Sequence, residues 1–335
     1  MSNALPASFK AFRIHNDNEG YRALVEDISI DAQSEGDVVI KASWSGINFK
    51  DALAGTGKGK ILRHFPMSGG IDVAGTVVES SSDKFKPGDE VLVTGSGLSE
   101  TRDGGFAEFL RLDSNWIIPT PASLTAREVM TIGTAGFTSA LSLHRMELAG
   151  QLPEQGPVLV TGATGGVGSI AIDILASAGY EVHAVSGKPG QYAYLKELGA
   201  SECISREEVM GSGRPLESAR WAGCIDSVGG DMLASICTQV KPWGNIAACG
   251  LAGGIKLETT VMPFIIRGVS LIGIDSPTCP YPIREIIWKK LAADWKPRHL
   301  DRIATNEVDL EGIAGVLDGM LAGGSIGRTL VKIGR

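Results

Sequence analysis

One string constrains this chain more than any other: Thr161-Gly162-Ala163-Thr164-Gly165-Gly166-Val167-Gly168, set between an apolar run at Val158–Thr161 and a helical stretch at Gly166–Ala178. Glycines let a backbone turn sharply and approach a pyrophosphate. The first N–H groups of the following helix have no partner of their own, and the helix dipole presents positive charge there. A tight strand-to-helix turn asks for glycine in any case, so the string takes its meaning from its surroundings.

Those surroundings alternate. Strands are expected at Glu181–Ser186, Cys203–Ser205, Gly223–Ser227, Gly244–Cys249 and Val269–Ile274, with helices at Gln191–Leu198 and Met232–Val240. Nearly continuous apolar strands joined by helices describe a parallel sheet covered on both faces, the doubly wound arrangement. Upstream, Phe9–His15, Val38–Ser43, Asp72–Glu79, Glu90–Thr94 and Gly105–Leu112 are short apolar runs between turn residues, and Lys86-Pro87-Gly88-Asp89 is a turn leading into one of them. They describe a β-rich domain. A helical stretch opens at Ser123-Leu124-Thr125 and reaches Leu148 with a break near Gly133–Gly136. After a helix at Ile283–Trp295, a further helix at Leu310–Leu321 and a strand at Thr329–Ile333 return the chain to the first domain. The fold class is α/β, with residues 1–122 and 299–335 forming the β-rich domain and 123–298 the coenzyme domain.

The end of the second strand bears on which dinucleotide is bound. It reads Ser186-Gly187-Lys188 where an acidic residue would accept hydrogen bonds from ribose hydroxyls. A hydroxyl and a cation suit a 2′-phosphate, and Arg206, just after the next strand, can close over the same group, so NADPH is expected. Either cation alone is more often a solvated surface charge, but the two share one expected location.

Composition excludes other classes. A net charge of −7 argues against a nucleic-acid-binding surface, and no apolar run approaches the length of a membrane helix. Met1–Pro6 carries neither a basic segment nor an apolar run, so the chain reads as cytoplasmic. Cys203, Cys224, Cys237, Cys249 and Cys279 are too widely spaced for a zinc finger or a disulfide framework.

A β-rich domain followed by a coenzyme domain in this order resembles the medium-chain dehydrogenase/reductase superfamily over essentially the whole chain. That likeness implies a GroES-like barrel and a Rossmann domain. In the superfamily's zinc alcohol dehydrogenases a cysteine follows the strand equivalent to Val38–Ser43. Here Ser45-Gly46-Ile47-Asn48-Phe49-Lys50-Asp51 stands instead, and the cysteines of the structural zinc lobe are missing, so no metal is expected. Alcohol oxidation develops an alkoxide that a Lewis acid holds. Conjugate reduction instead places charge on a carbonyl oxygen that hydrogen-bond donors can hold. The expectation is therefore reduction of an activated carbon–carbon double bond; a decayed dehydrogenase is the alternative.

Several strings resemble the NADPH-dependent acryloyl-CoA reductases, a zinc-free, quinone oxidoreductase-like group: Asn48-Phe49-Lys50-Asp51-Ala52-Leu53, Gly57-Lys58-Gly59-Lys60, Gly133-Thr134-Ala135-Gly136-Phe137-Thr138, Ala248-Cys249-Gly250-Leu251-Ala252-Gly253-Gly254, Thr260-Val261-Met262-Pro263-Phe264-Ile265 and Gly327-Arg328-Thr329-Leu330-Val331-Lys332-Ile333. The resemblance implies coenzyme contacts from Phe49, Thr134, Thr138, Thr164, Gly165, Gly166, Val167, Ser186, Gly187, Lys188, Arg206, Leu251, Ile265, Ser276 and Gly323. Phe49 stands where the group commonly has tyrosine, so no hydroxyl is offered there. Asn48, Lys50 and Asp51 are the catalytic candidates: Asn48 or Lys50 as donor to an enolate oxygen, Asp51 as orienter of Lys50. Alternatively Asp51 caps a short helix and Lys50 points to water. Thr134 and Thr138 are equally explicable as helix threonines bonding back to the backbone.

Lys58, Lys60 and Arg63, or Arg328, are candidates to grip the phosphates of a coenzyme A tail, the alternative being a solvated loop. The expected reaction is NADPH-dependent conversion of acryloyl-CoA or a close short-chain enoyl-CoA to propanoyl-CoA. Quinone or 2-alkenal reduction is the second enzyme reading, and an NADPH-binding regulatory protein the reading from another class. By analogy with the superfamily a homodimer is expected, with Val269–Ile274 as a candidate edge strand.

Overall fold

The computed structural model describes residues 5–334, which form two compact units. The first unit runs to Thr134 and includes Pro277–Trp288 and the chain from Leu300; the second is Ala135–Ser276 with Lys289–His299.

The first unit is built on β1 (Phe9–Asp17), β2 (Gly20–Ile28), β3 (Val38–Ile47), β4 (Met67–Ser68), β5 (Asp72–Ser80), β6 (Glu90–Thr94), β7 (Phe109–Leu112) and β8 (Ile118–Pro119). A three-stranded sheet runs β2-β1-β4. A seven-stranded one places Ala304–Val308 and Arg328–Lys332 beside β3, followed by β5, β6 and β8, with β7 also on β3. This is the GroES-like arrangement, packed around Phe12, Ile40, Val73, Val91 and Leu110. The sequence reading overlooks β2, whose largely half-exposed residues show no alternation to mark it as an edge strand. Strand β3 also continues four residues past its expected end at Ser43. Trp44 to Ile47 pair antiparallel with Thr329 to Lys332, Ile47 opposite Thr329 and Ser45 opposite Val331. That extension matters because β3 delivers the chain directly to Asn48.

Two helices bear on the site. Helix α1 (Phe49–Thr56) begins at Asn48 and ends on Gly57 in the left-handed region at φ 70°. Helix α2 (Ala126–Leu148) is interrupted at Gly133, whose φ of 48° and ψ of −157° are not helical. A side chain there would meet Asp72 Oδ2 at 2.6 Å, so the break requires glycine on both counts.

The second unit is a six-stranded parallel sheet of β9 (Val158–Val160), β10 (Val182–Val185), β11 (Glu202–Ile204), β12 (Trp221–Asp226), β13 (Val240–Ala248) and β14 (Ser270–Gly273), in the order β11-β10-β9-β12-β13-β14. Strand order reverses between β9 and β12, the switch point at which open α/β sheets bind ligands beyond the carboxyl ends of their strands. Helix α3 (Gly166–Ser177) leaves β9 through the glycine turn, and the sheet packs on Leu159, Val185, Trp221, Cys224 and Ile246.

Candidate active site

In the first unit the site candidates gather where β3 ends. Asn48 caps α1, and Asp51, at the third helical position, reaches back to accept from the Asn48 backbone N–H at 2.8 Å. Its other oxygen accepts from the Ile71 N–H at 3.0 Å. Burial pushes the Asp51 carboxyl up to about 7; hydrogen bonds from Asn48 and Ile71 work against that rise and the neighbouring Asp72 adds to it.

Every polar atom of the Asn48 side chain is committed. Its Nδ2 donates to Asp72 Oδ2 at 2.8 Å, with Gly46 O at 3.2 Å and Asp51 Oδ2 at 3.3 Å, which accounts for both hydrogens. Its Oδ1 accepts from Arg328 Nη1 at 2.8 Å. Asn48 and Asp51 are 9% and 2% exposed. Of the three catalytic candidates, only Lys50 keeps N–H groups beyond its one carboxylate partner and reaches solvent. It pairs with Glu100, each side chain being 27% exposed. The structure thus gives Asp51 its alternative, helix-capping position and does not bring it to Lys50's ammonium.

Asp72 is the hub the sequence reading missed. Fully buried, it accepts from Asn48 Nδ2, from the Thr134 N–H at 3.0 Å, from Thr134 Oγ1 at 2.5 Å and from Arg328 Nη2 at 3.4 Å. Arg328, 3% exposed, also donates to the carbonyls of Ile47, Met130 and Thr131. Burial lowers its pKa, opposed by Asp72 and Asp51. A charged residue opening the apolar run of β5 was the available signal. Arg328 is a correction: it does not lie with the surface cations, because its guanidinium is enclosed and used by buried partners.

The surface cations behave differently. Lys58 pairs with Asp318 at 2.7 Å, both exposed; Arg63 lies 3.7 Å from Glu100, and Lys60 is exposed. Such pairs in water contribute little and exchange readily for another anion. Phe49 is 40% exposed at the start of α1, and Gly323 follows the helix Ile313–Leu321.

In the second unit the glycine turn stands at the switch point. Gly162 has φ 57°, and a side chain on Gly168 would lie 2.4 Å from Gly162 O, so turn and helix are closely packed by sequence design. Thr161 Oγ1 donates to Asp226 Oδ1 at 2.6 Å and accepts from the Ser227 N–H, tying the ends of β9 and β12 together. Asp226, which the sequence reading also missed, is fully buried, and burial raises its pKa.

Parallel pairing of β10 with β11 sets Val185 opposite Ile204. The segments Ser186–Lys188 and Ser205–Arg206 therefore leave the sheet next to each other. Ser186 Oγ accepts from the Lys188 N–H at 3.1 Å, and a side chain on Gly187 would meet Arg206 Nε at 2.9 Å. Desolvation and the Arg206 charge lower the Lys188 pKa. Thr138 Oγ1 donates to Ser276 Oγ at 2.7 Å, joining two further candidates. Leu251 and Ile265 are exposed apolar side chains, while Thr164 is buried in the turn. Among the described residues no group of three or more His, Cys, Asp or Glu is placed to hold a metal ion, and no helix is long and apolar enough to cross a membrane.

A GroES-like unit and a doubly wound unit with this strand order define a medium-chain dehydrogenase/reductase. The family model for the alcohol dehydrogenase GroES-like domain matches residues 34–122, and that for the zinc-binding dehydrogenase matches residues 166–293. The chain is 45% identical to the putative quinone oxidoreductase YhfP of Bacillus subtilis, over 97% of this chain and 99% of that one. It is 47% identical to the probable acrylyl-CoA reductase AcuI of Escherichia coli, over 93% and 95%. The yhdH oxidoreductase of Salmonella enterica, solved in complex with NADP, superposes with a TM-score of 0.94 at 46% identity, covering 97% of this chain and 100% of that one. Bacillus subtilis yhfP, solved with NAD bound, gives 0.94 at 44% identity, covering 98% and 100%. The chain belongs to the medium-chain dehydrogenase/reductase family and, within it, to the quinone oxidoreductase-like branch.

Proposed function

We propose that this protein reduces the carbon–carbon double bond of acryloyl-CoA, or a close short-chain enoyl-CoA, to the saturated thioester with NADPH. The observation that carries the substrate is near full-length likeness to acrylyl-CoA reductases, 47% identical over 95% of the Escherichia coli protein and 42% over 99% of that of Ruegeria pomeroyi.

The residues present fit the coenzyme. The turn Thr164 to Val167 and the unpaired first N–H groups of α3 suit a pyrophosphate, and Gly168 leaves no room for a side chain against Gly162. Ser186, Lys188 and Arg206, with no carboxylate at the end of β10, suit a 2′-phosphate and would repel nothing in it. Bound NADPH supplies a hydride. The chain's part is to hold it, to receive negative charge at the thioester oxygen and to deliver a proton at the α-carbon. Phe49, Thr134, Thr138, Leu251, Ile265, Ser276 and Gly323 are assigned to the coenzyme, and Lys58, Lys60 and Arg63 to the coenzyme A phosphates. Asn48, Asp51, Asp72 and Arg328 hold the backbone at the end of β3 in place.

Quinone reduction is the second reading, favoured by the likeness to YhfP. Purified protein given NADPH or NADH with acryloyl-CoA, free acrylate, crotonyl-CoA and a simple quinone separates the two. Propanoyl-CoA formed with NADPH, free acrylate being inert, is the expected result; turnover of quinone alone overturns the thioester assignment. A cytoplasmic homodimer associated along the sheet edge at β14 completes the proposal. Half-exposed Leu271 on that edge supports it.

A further inference from the structure

We infer that the Lys50 ammonium is the group that protonates the α-carbon, and that Glu100 is the positioning residue that aims it. This inference rests on the enoyl thioester reading above.

The first support is an accounting of donors. Asn48, Lys50 and Asp51 are the polar side chains that the end of β3 and the first turn of α1 present together. Asn48 spends both amide hydrogens on Asp72, Gly46 and Asp51, and Asp51 is a buried acceptor of backbone N–H groups. An ammonium carries three N–H donors and one carboxylate takes one of them, so Lys50 retains capacity where its neighbours do not.

The second support is the setting of Glu100. One of its carboxylate oxygens takes Lys50 while the other faces Arg63 Nη2 at 3.7 Å, and its backbone carbonyl accepts from the Arg63 N–H at 2.8 Å. The Glu100 backbone is thereby tied to Arg63, while Lys50 is the hydrogen-bond donor to its carboxylate. Lys50 and Glu100 are each 27% exposed, enclosed enough to hold one geometry and open enough to exchange protons with water.

The chemistry balances. Hydride from the nicotinamide coenzyme forms a C–H bond at the β-carbon, and the displaced π electrons move through the α-carbon to the thioester oxygen as an enolate. The enolate returns those electrons to carbon as the α-carbon takes a proton from Lys50 Nζ, leaving a neutral amine. That amine, partly exposed, regains a proton from solvent. Proton transfer by a positioned side chain contributes on the order of 10²–10⁴ in rate.

The test is the configuration at C2 of the propanoyl-CoA made from acryloyl-CoA and NADPH in D2O. Wild type places deuterium on one face. Lys50→Met loses about 100-fold in kcat and gives deuterium on both faces, since water then protonates the enolate without facial preference. Lys50→Gln serves as the second variant and has the same expected result. Glu100→Gln keeps a single configuration with kcat reduced about 10-fold, and Glu100→Asp recovers part of the loss. Lys50→Met or Lys50→Gln forming one configuration at the wild-type kcat overturns the inference while leaving the thioester reading intact. Wild type failing to turn over acryloyl-CoA overturns both.

Discussion

Asp72 and Arg328 meet with the Nη2 of one 3.4 Å from the Oδ2 of the other, at 0% and 3% exposure, although 256 residues separate them in sequence. The pair joins the start of β5 to the last strand of the chain. Through Thr134 on one side and the Met130 and Thr131 carbonyls on the other, it holds both flanks of the break at Gly133. Removing one partner of a buried ion pair strands the other's charge. Arg328→Met is therefore expected to cost about 3–5 kcal/mol, read by urea unfolding, and Asp72→Asn/Arg328→Met should lose less than the two single changes summed. Arg328→Lys should not rescue, because a point ammonium cannot reach the five acceptors that the guanidinium serves. Strict additivity would mean that the pair is not coupled.

Coenzyme choice is expected to follow from the end of β10. Replacing Lys188 with Glu, or Arg206 with Ser, is expected to cost a charge-assisted hydrogen bond to the 2′-phosphate worth about 1.5–3 kcal/mol. The NADPH Kd should rise about 10- to 100-fold while the NADH Kd stays the same or falls, measured by quenching or calorimetric titration. Equal weakening of both coenzymes would place the two cations elsewhere than at that phosphate.

How legible the site was in the sequence divides along physical lines. The coenzyme unit was readable because parallel strands are continuous apolar runs, and because Gly168 and Gly187 are demanded by close approaches that local sequence advertises. The nearness of Arg206 to Gly187 follows from β10 and β11 being neighbours in this strand order, one of the two common doubly wound ones. Asp72 and Glu100 were not, since their partners come from distant segments: Asn48, Thr134 and Arg328 for one, Lys50 and Arg63 for the other. For the same reason the sequence leaves Arg328 a candidate for the coenzyme A phosphates: it returns the last strand to the first domain without showing that this strand pairs with β3. Asn48 was read as a free donor, because nothing local shows that both of its hydrogens are already taken.

The glycine turn yields a prediction with an internal control. A Cβ on Gly168 would lie 2.4 Å from Gly162 O and 2.6 Å from Ala163 Cα, backbone atoms that cannot rotate away. Gly168→Ala should raise the Kd of NADPH and NADH alike and lower Tm. Gly319, inside the helix Ile313–Leu321, has nothing within 4 Å of its Cβ position. There alanine should stabilise by about 0.5–1 kcal/mol through its better helix propensity. A Gly168→Ala protein that binds coenzyme normally would show that the turn shifts freely, contrary to its packing.

Asp51 makes stability depend on pH in a direction opposite to that of most carboxylates. Its pKa stands at about 7, against an ordinary value of 3.8, because burial disfavours the charged form and Asp72 repels it. The folded state thus holds the Asp51 proton more tightly than the unfolded state does. The stabilisation from that proton is complete below about pH 4 and is lost as pH rises through about 7. Asp51→Asn cannot titrate, and it sets an amide hydrogen against the Asn48 or Ile71 N–H, at a cost of about 1–3 kcal/mol. The advantage of wild type over the variant should therefore be largest near pH 4 and shrink toward pH 7 and above. Urea unfolding of both proteins across that range measures it directly. A constant difference would mean that Asp51 stays charged in the folded protein, with its backbone N–H donors outweighing the cost of burial.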